Sequence, residues 1–377
     1  QATGLLCCPS DAATCSIIDQ LSLHGAETLA DAIDWLAGKR PLPPTPARSE
    51  VTVPLLPDLG DLRGHTTPKL ALTVAAAGGH NLLFTGPPGT GKSAMLRRLP
   101  GILPPLSASE RLAVLQVHAT AGLSLSNGTQ RTLRAPHHTS SAASLLGGGT
   151  DIRPGEVTLA HHGVLFLDEL PEFRRDVLEA MRQPLEDGTV TVGRAQRTVT
   201  MPAQFLLTAA MNPCPCGYLG HRLRPCLCTP AAIMRYRRRL SGPLLDRIDL
   251  RIEVPALTPT ELRQPEAANG TTTALRDRVM IAYERQRHRH RNSSCADFTP
   301  NARLNDRHLA TACDADGTAM NALDEMLQRH RQSPRSRVRM LRMARTLADL
   351  DDRPSINEVD ILQAASLRGF ATSSIQV

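Results

Sequence analysis

Aromatic side chains are scarce in this chain, 3 % of its residues with a single tryptophan, so its core has to be built from aliphatic side chains. That favours helices and parallel strands over an aromatic-rich β-sandwich. No stretch of about 18 apolar residues occurs, which excludes a conventional membrane-spanning helix. A basic start followed by an apolar run, the signature of a secretory leader, is missing as well. The nine cysteines are an odd number without an export signal, so metal ligation or free thiols explain them better than a disulfide framework. The expected compartment is the cytoplasm, with no membrane partner. What is present is ordinary for a globular protein: 41 % apolar residues and a net charge of +7. That basic balance suits a polyanionic partner without demanding one.

The 377 residues suffice for two or three domains. Residues 1–24 carry no clear pattern, whereas Ala26, Leu29, Ala30, Ile33 and Leu36 recur at helical spacing. Pro41, Pro43, Pro44, Pro46, Pro54 and Pro57 then block helix and central strand alike and read as an extended linker. Residues 1–57 are therefore expected to hold a helix and an extended linker. From 58 to 258 short apolar strands (81–85, 164–167, 204–210) alternate with helical stretches, which predicts an α/β fold, a parallel sheet flanked by helices. Residues 259–377 show only helical patterns, at 273–291, 319–331, 334–350 and 357–368, and predict a helical C-terminal domain. Ser355 with Glu358 reads as the cap of the last helix.

Gly86-Pro87-Pro88-Gly89-Thr90-Gly91-Lys92-Ser93 fits G-x-x-x-x-G-K-[ST], after a strand and before a helix. Glycines let backbone amides curl around phosphate oxygens, and the helix start adds its positive end. Lys92 would reach the β and γ phosphates of ATP, and Ser93 would ligate Mg2+. Val164-Leu165-Phe166-Leu167-Asp168-Glu169 sets two acids at the carboxyl end of a strand. There Asp168 would hold the metal and Glu169 would serve as general base. Asn212 closes the third strand and either positions the attacking water or merely turns the chain before Pro213. Arg247 lies among apolar residues in Gly242–Asp249; it is either offered to a neighbour's γ phosphate or paired with Asp246 or Asp249. Arg335, at the start of a basic helix, either touches nucleotide or belongs to a solvated face.

Cys214-x-Cys216 and Cys226-x-Cys228, nine residues apart, supply four thiolates, enough for a tetrahedral Zn2+ site, with free thiols or disulfides as the alternatives. Two β-branched runs around Gly193-Arg194-Ala195-Gln196-Arg197 read as a hairpin presenting Arg194 and Arg197, either to a nucleic-acid backbone or to solvent. Residues 128–150, with Arg131, Arg134, His137 and His138, read as a mobile basic insertion loop rather than a metal site; His161-His162 reads as structural. The basic run Arg285–Arg291 reads first as a solvated helix face.

These segments, together with Ala75–Asn81, Arg134–His138, Arg153–Glu156, Gln183–Gly188, Met211–Tyr218, Ser241–Asp249 and Ala344–Asp349, resemble the ComM-like (YifB-type) bacterial AAA+ ATPases related to the magnesium chelatase ATPase subunit. The likeness runs over roughly residues 26–368. It implies a homo-hexameric ring in which Arg247 is a trans-acting arginine finger, Asn212 the sensor and Arg335 the lid arginine. It also implies a hairpin facing single-stranded or branched DNA in the pore. The family's work is regarded as helicase-type branch migration of incoming DNA in natural transformation; a chelatase-like motor remodelling a protein partner is the alternative. Two departures stand out. The family carries a Lon-protease-like domain before the linker, of which only the last helix and Gly38–Pro44 match here, so the chain reads as N-terminally truncated. Thr66-Thr67-Pro68 replaces a helix-compatible segment and is expected to disturb a loop beside the nucleotide.

Overall fold

Every residue of Val164-Leu165-Phe166-Leu167 is buried, because a parallel strand covered by helices on both faces has no solvent side. The same holds for Leu82–Thr85 and Leu206–Met211. The computed structural model describes residues 4–15, 22–42, 56–123, 130–149, 152–194, 197–263, 270–291 and 298–370. It divides into two units, residues 1–55 with 106–130, and residues 56–105 with 131–377.

In the smaller unit β1 (Gly4–Cys7) and β2 (Ser22–Gly25) pair in parallel, and the helix Pro9–Cys15 lies between them in sequence. These elements fall where no pattern was legible: strands of four residues are too short for alternation to show. The helices Leu29–Leu36 and Ala108–Thr120 each begin on a capping box, Thr28 with Asp31 and Ser107 with Glu110. Most of the proline-rich linker, residues 43–55, lies outside the described residues.

The larger unit holds β3 (Leu82–Thr85), β4 (Leu133–Arg134), β5 (Gly147–Gly148), β6 (Arg153–Pro154), β7 (Val164–Leu167), β8 (Thr189–Arg194), β9 (Arg197–Pro202), β10 (Leu206–Met211) and β11 (Leu250–Glu253). Five of them form one parallel sheet in the order β11-β3-β10-β7-β4. Successive side chains point to opposite faces. Leu82, Phe84, Phe166 and Ala210 enter a cluster with Ala71, Leu96 and Val279; Leu83, Leu165, Leu207 and Ala209 meet Val157, Val177 and Ile248. The C-terminal helices Thr272–Arg291, Gly317–Arg329, Pro334–Leu350 and Glu358–Leu367 contribute to the first cluster.

Several local expectations are corrected. Thr66-Thr67-Pro68 disturbs no loop; it forms the first turn of the helix Thr66–Gly78, where backbone N–H groups have no intrahelical partner and proline costs nothing. The last helix is capped by Asn357, boxed with Asp360, rather than by Ser355. Residues 130–149 are not a plain loop: β4 joins the sheet, and Arg134 holds Glu156 through two hydrogen bonds of 2.6 and 2.7 Å. The basic run Arg285–Arg291 is partly an internal clamp. Arg289 donates twice to the buried Asp349 at 2.6 Å, and Asn301 and Arg345 meet the same carboxylate at 2.9 and 3.0 Å. His161 is buried, and its Nδ1 accepts from the Gln204 amide at 3.1 Å.

Candidate active site

The phosphate loop leaves β3, an interior strand of the sheet. Gly91 is left-handed at φ 81°, and nothing lies within 4 Å of where a side chain at Gly89 or Gly91 would begin. The loop is braced by Thr90 Oγ1 donating to the Pro87 carbonyl at 3.0 Å. Lys92 is buried and donates from Nζ to the carbonyls of Gly86 and Pro87 at 2.6 and 2.7 Å, with Asn212 Oδ1 at 3.4 Å. Burial pushes its ammonium down to about 8, against the opposing pull of the Asp168 carboxylate. A buried cation hydrogen-bonded only to neutral oxygens, with one carboxylate acting on it from across the cleft, suits an anionic ligand.

Parallel order brings the rest. β10 lies between β3 and β7, so Asn212 and the acids after β7 emerge on the same rim as the glycine loop. Pro88, Gly89, Thr90, Gly91, Lys92, Ser93, Asp168, Glu169 and Asn212 share one cleft of about 310 Å³. Asp168 Oδ1 accepts from the Glu169 amide at 3.0 Å, and Glu169 sits left-handed at φ 52°. Glu169 also faces His138, with Nδ1 3.3 Å from Oε2, a neighbour that reading the chain did not supply. The cradle, the buried cation and the oxygen donors of Ser93 and Asp168 fit a magnesium-bound triphosphate.

Arg247 and Arg335 do not join this cleft. Asn81 precedes β3 and donates to the Arg247 carbonyl at 2.9 Å, which places Arg247 at the amino end of the sheet, the rim opposite the glycine loop. There Arg247 and Arg335 line a second cleft, of about 900 Å³, with Arg182, Glu186, Arg303 and Arg339. The acid partner of Arg247 is Glu186, not Asp246 or Asp249, and this guanidinium holds the Glu186 carboxyl below its usual range. Asp249 instead faces His80 and Arg339, at 3.5 and 4.0 Å.

Cys214, Cys216, Cys226 and Cys228 converge, their sulfur atoms all within 4.8 Å of one another. Three of the separations are 3.4, 3.6 and 3.6 Å, close to the roughly 3.8 Å that a tetrahedron of thiolates around zinc requires. The Tyr218 amide, then that of Leu227, pulls the Cys216 thiol down to about 6 against the cost of burial. The donor set fits zinc. This segment also leans on the phosphate loop: Gly217 has φ 83°, and a side-chain carbon there would stand 2.8 Å from Pro88 Cδ. β8 and β9 form the expected antiparallel hairpin, with Arg194 opposite Arg197 at its end. Ala195, Gln196 and both arginine side chains lie outside the described residues.

A glycine loop after a central parallel strand, acids ending the next strand but one, and a polar residue ending the strand between them define a P-loop nucleoside triphosphatase. A profile described as "Magnesium chelatase, subunit ChlI" matches residues 58–262, and one described as "Magnesium chelatase, subunit ChlI C-terminal" matches residues 269–368. The chain is 40 % identical over 374 residues to competence protein ComM of Haemophilus influenzae, covering 97 % of this chain and 72 % of that protein. It is 39 % identical over 375 residues to YifB of Salmonella typhimurium, covering 97 % and 71 %. More distantly, 148 residues are 28 % identical to DNA replication licensing factor MCM3 of Entamoeba histolytica, covering 39 % of this chain and 22 % of that one. The chain belongs to the ComM-like branch of the magnesium-chelatase-related AAA+ family. It is accordingly an ATPase working with ATP and Mg2+. The 3 % left unaligned with ComM is shorter than residues 1–24, so the likeness extends into a stretch where none was read from the sequence. Among the described residues no helix is long and apolar enough to cross a membrane.

Proposed function

We propose that this chain is a cytoplasmic ATP-driven motor on DNA, acting as a ring of six copies in helicase-type strand migration during DNA uptake and recombination. The observation that carries this reading is the separation of the two clefts. A chain with its phosphate loop on one rim and its arginine cleft on the other completes a nucleotide site only when a second copy docks against it. Repetition of such a head-to-tail contact closes a ring. The relatives named for competence and for DNA replication support DNA as the substrate.

In this reading residues 58–258 are the ATPase core and residues 259–377 the helical lid, preceded by the two short strands, two helices and linker of residues 1–57. The amides of Gly89, Thr90 and Gly91, in the loop that also carries Gly86, Pro87 and Pro88, cradle the phosphates, and Lys92 neutralises them. Ser93 and Asp168 hold the metal. Bound magnesium and ATP supply a polarised phosphoryl group to the site. Glu169 removes a proton from water, and Asn212, held beside Lys92, orients that water. Arg247 and Arg335 of one copy reach the phosphates of the next, which requires Arg247 to leave Glu186. The four cysteines hold zinc and brace the turn that presses Gly217 on Pro88. Arg194 and Arg197 at the hairpin end grip phosphate backbone in the pore.

The test is the ATPase rate with and without single-stranded or branched DNA, with particle size measured alongside. DNA stimulation in a six-copy particle is the expected result. The double change Arg194→Ala with Arg197→Ala should weaken DNA binding and reduce its salt dependence by about two counterions' worth of slope. A monomer whose turnover ignores DNA but rises with a protein partner would instead support a chelatase-like remodelling motor.

A further inference from the structure

His138 reaches Glu169 through the sheet itself. β4 lies at the edge, parallel to β7, with Arg134 opposite Leu165. Two parallel strands release their chains on the same rim, so the residues after β4 arrive where Asp168 and Glu169 leave β7. Arg134 anchors that path through its double hydrogen bond to Glu156, at 2.6 and 2.7 Å. Beyond it, His137 Nδ1 lies 2.9 Å from Thr139 Oγ1. The His138 ring is packed against that of His137, with centroids 4.1 Å apart, and meets the edge of Phe173 at 6.5 Å. The imidazole is thus held on two sides, with Nδ1 3.3 Å from Glu169 Oε2.

Glu169 needs such a partner. Its backbone is left-handed at φ 52° and its side chain is 56 % exposed, so nothing in its own strand aims the carboxylate. Proton abstraction falls off steeply when a base is misdirected by an ångström. A metal role for the histidine pair is not favoured: among the described residues the one group of ligands close enough to hold an ion is the four cysteines.

We propose that His138 is a positioning residue for the hydrolytic step. Its Nδ1–H donates to one oxygen of Glu169 and leaves the other directed at the attacking water. The inference rests on reading Glu169 as the general base. His138 is not among the residues lining the nucleotide cleft, so removing it should spare ATP binding while impairing turnover.

The experiment compares full-length His138→Ala, His138→Phe and His138→Asn for kcat, KM for ATP and thermal midpoint. Alanine and phenylalanine should each lower kcat at least about tenfold with KM within about twofold, since phenylalanine keeps the ring packing but has no N–H. Asparagine, whose amide can donate from a similar place, should recover most of the rate. Normal or raised kcat in His138→Ala and His138→Phe, or a loss confined to KM, overturns the proposal. So does a phenylalanine variant that works as well as the wild type. Adding His138→Ala to Glu169→Gln should change residual turnover no further; an additional loss means the histidine acts elsewhere. Normal turnover in Glu169→Gln alone removes the base assignment itself, a result separable from failure of the histidine variants.

Discussion

Lys92 shows how a single side chain can be prepared for a ligand. Its ammonium is buried, its nearest acceptors are the Gly86 and Pro87 carbonyls, and desolvation holds its acidity at about 8. In the proposed reading a bound triphosphate supplies the compensation that water cannot. Lys92→Ala should therefore weaken ATP binding by at least about tenfold, read by titration with a fluorescent nucleotide. Glu169→Gln should behave differently, keeping the affinity but lowering turnover by about 10²–10⁴-fold, since the amide cannot take a proton. Loss of both functions in both variants would argue against dividing the site into a binding lysine and a catalytic acid.

Secondary-structure elements are tied together by bonds between residues distant in sequence. Asp58 Oδ1 accepts from the amides of Gly60 and Thr272 at 2.5 and 3.0 Å, while Thr272 Oγ1 accepts from Leu59 N at 2.8 Å. This reciprocal staple ties the start of the ATPase core to the helix Thr272–Arg291. The Gly60 amide, followed by the Thr272 amide, lowers the Asp58 carboxyl below its ordinary value of 3.8. A depressed carboxylate stabilises the fold above its unfolded pKa of about 3.9, and the contribution fades as pH falls through the lower folded value. Asp58→Ala should thus cost about 1 kcal/mol at neutral pH, and the gap from wild type should close below about pH 4 in urea titrations. A gap independent of pH would deny the carboxylate that role. The cysteine segment is the other element with a decisive test. Purified protein should carry about one zinc per chain, and Cys226→Ser should lose it and weaken nucleotide binding through the Gly217–Pro88 contact. Metal-free protein with unaltered nucleotide affinity would reduce the cluster to four thiols.

At the scale of the whole molecule the two rims of one sheet carry the phosphate-loop cleft and the arginine cleft, which in the proposed reading are complementary halves of a nucleotide site. That geometry predicts complementation. Lys92→Ala and Arg247→Ala chains should each be inactive alone, the second by about 10³-fold or more as expected for a transition-state arginine. An equimolar mixture should regain a measurable fraction of ATPase activity, because some interfaces then join an intact Lys92 to an intact Arg247. A mixture as inactive as its components would mean that Arg247 serves its own chain, for instance as the structural partner of Glu186.

The phosphate loop, the acids at 168–169 and Asn212 were legible from the residues alone. Phosphate binding demands glycines and a lysine at fixed spacing, and buried parallel strands announce themselves as unbroken apolar runs. The four-cysteine group was equally visible as composition and spacing. The sequence could not say which rim an arginine occupies: Arg247 and Arg335 lie far apart in the chain, and only the order of the sheet together with the packing of the helix Pro334–Leu350 brings both to the rim away from the loop. His138 escaped for a similar reason. The two-residue strand β4 is too short to show periodicity, so its alignment with β7, and with it the delivery of an imidazole to Glu169, is settled by tertiary pairing. Chemistry carried by neighbours in sequence is written locally, whereas chemistry assembled across strands exists only once the sheet has formed.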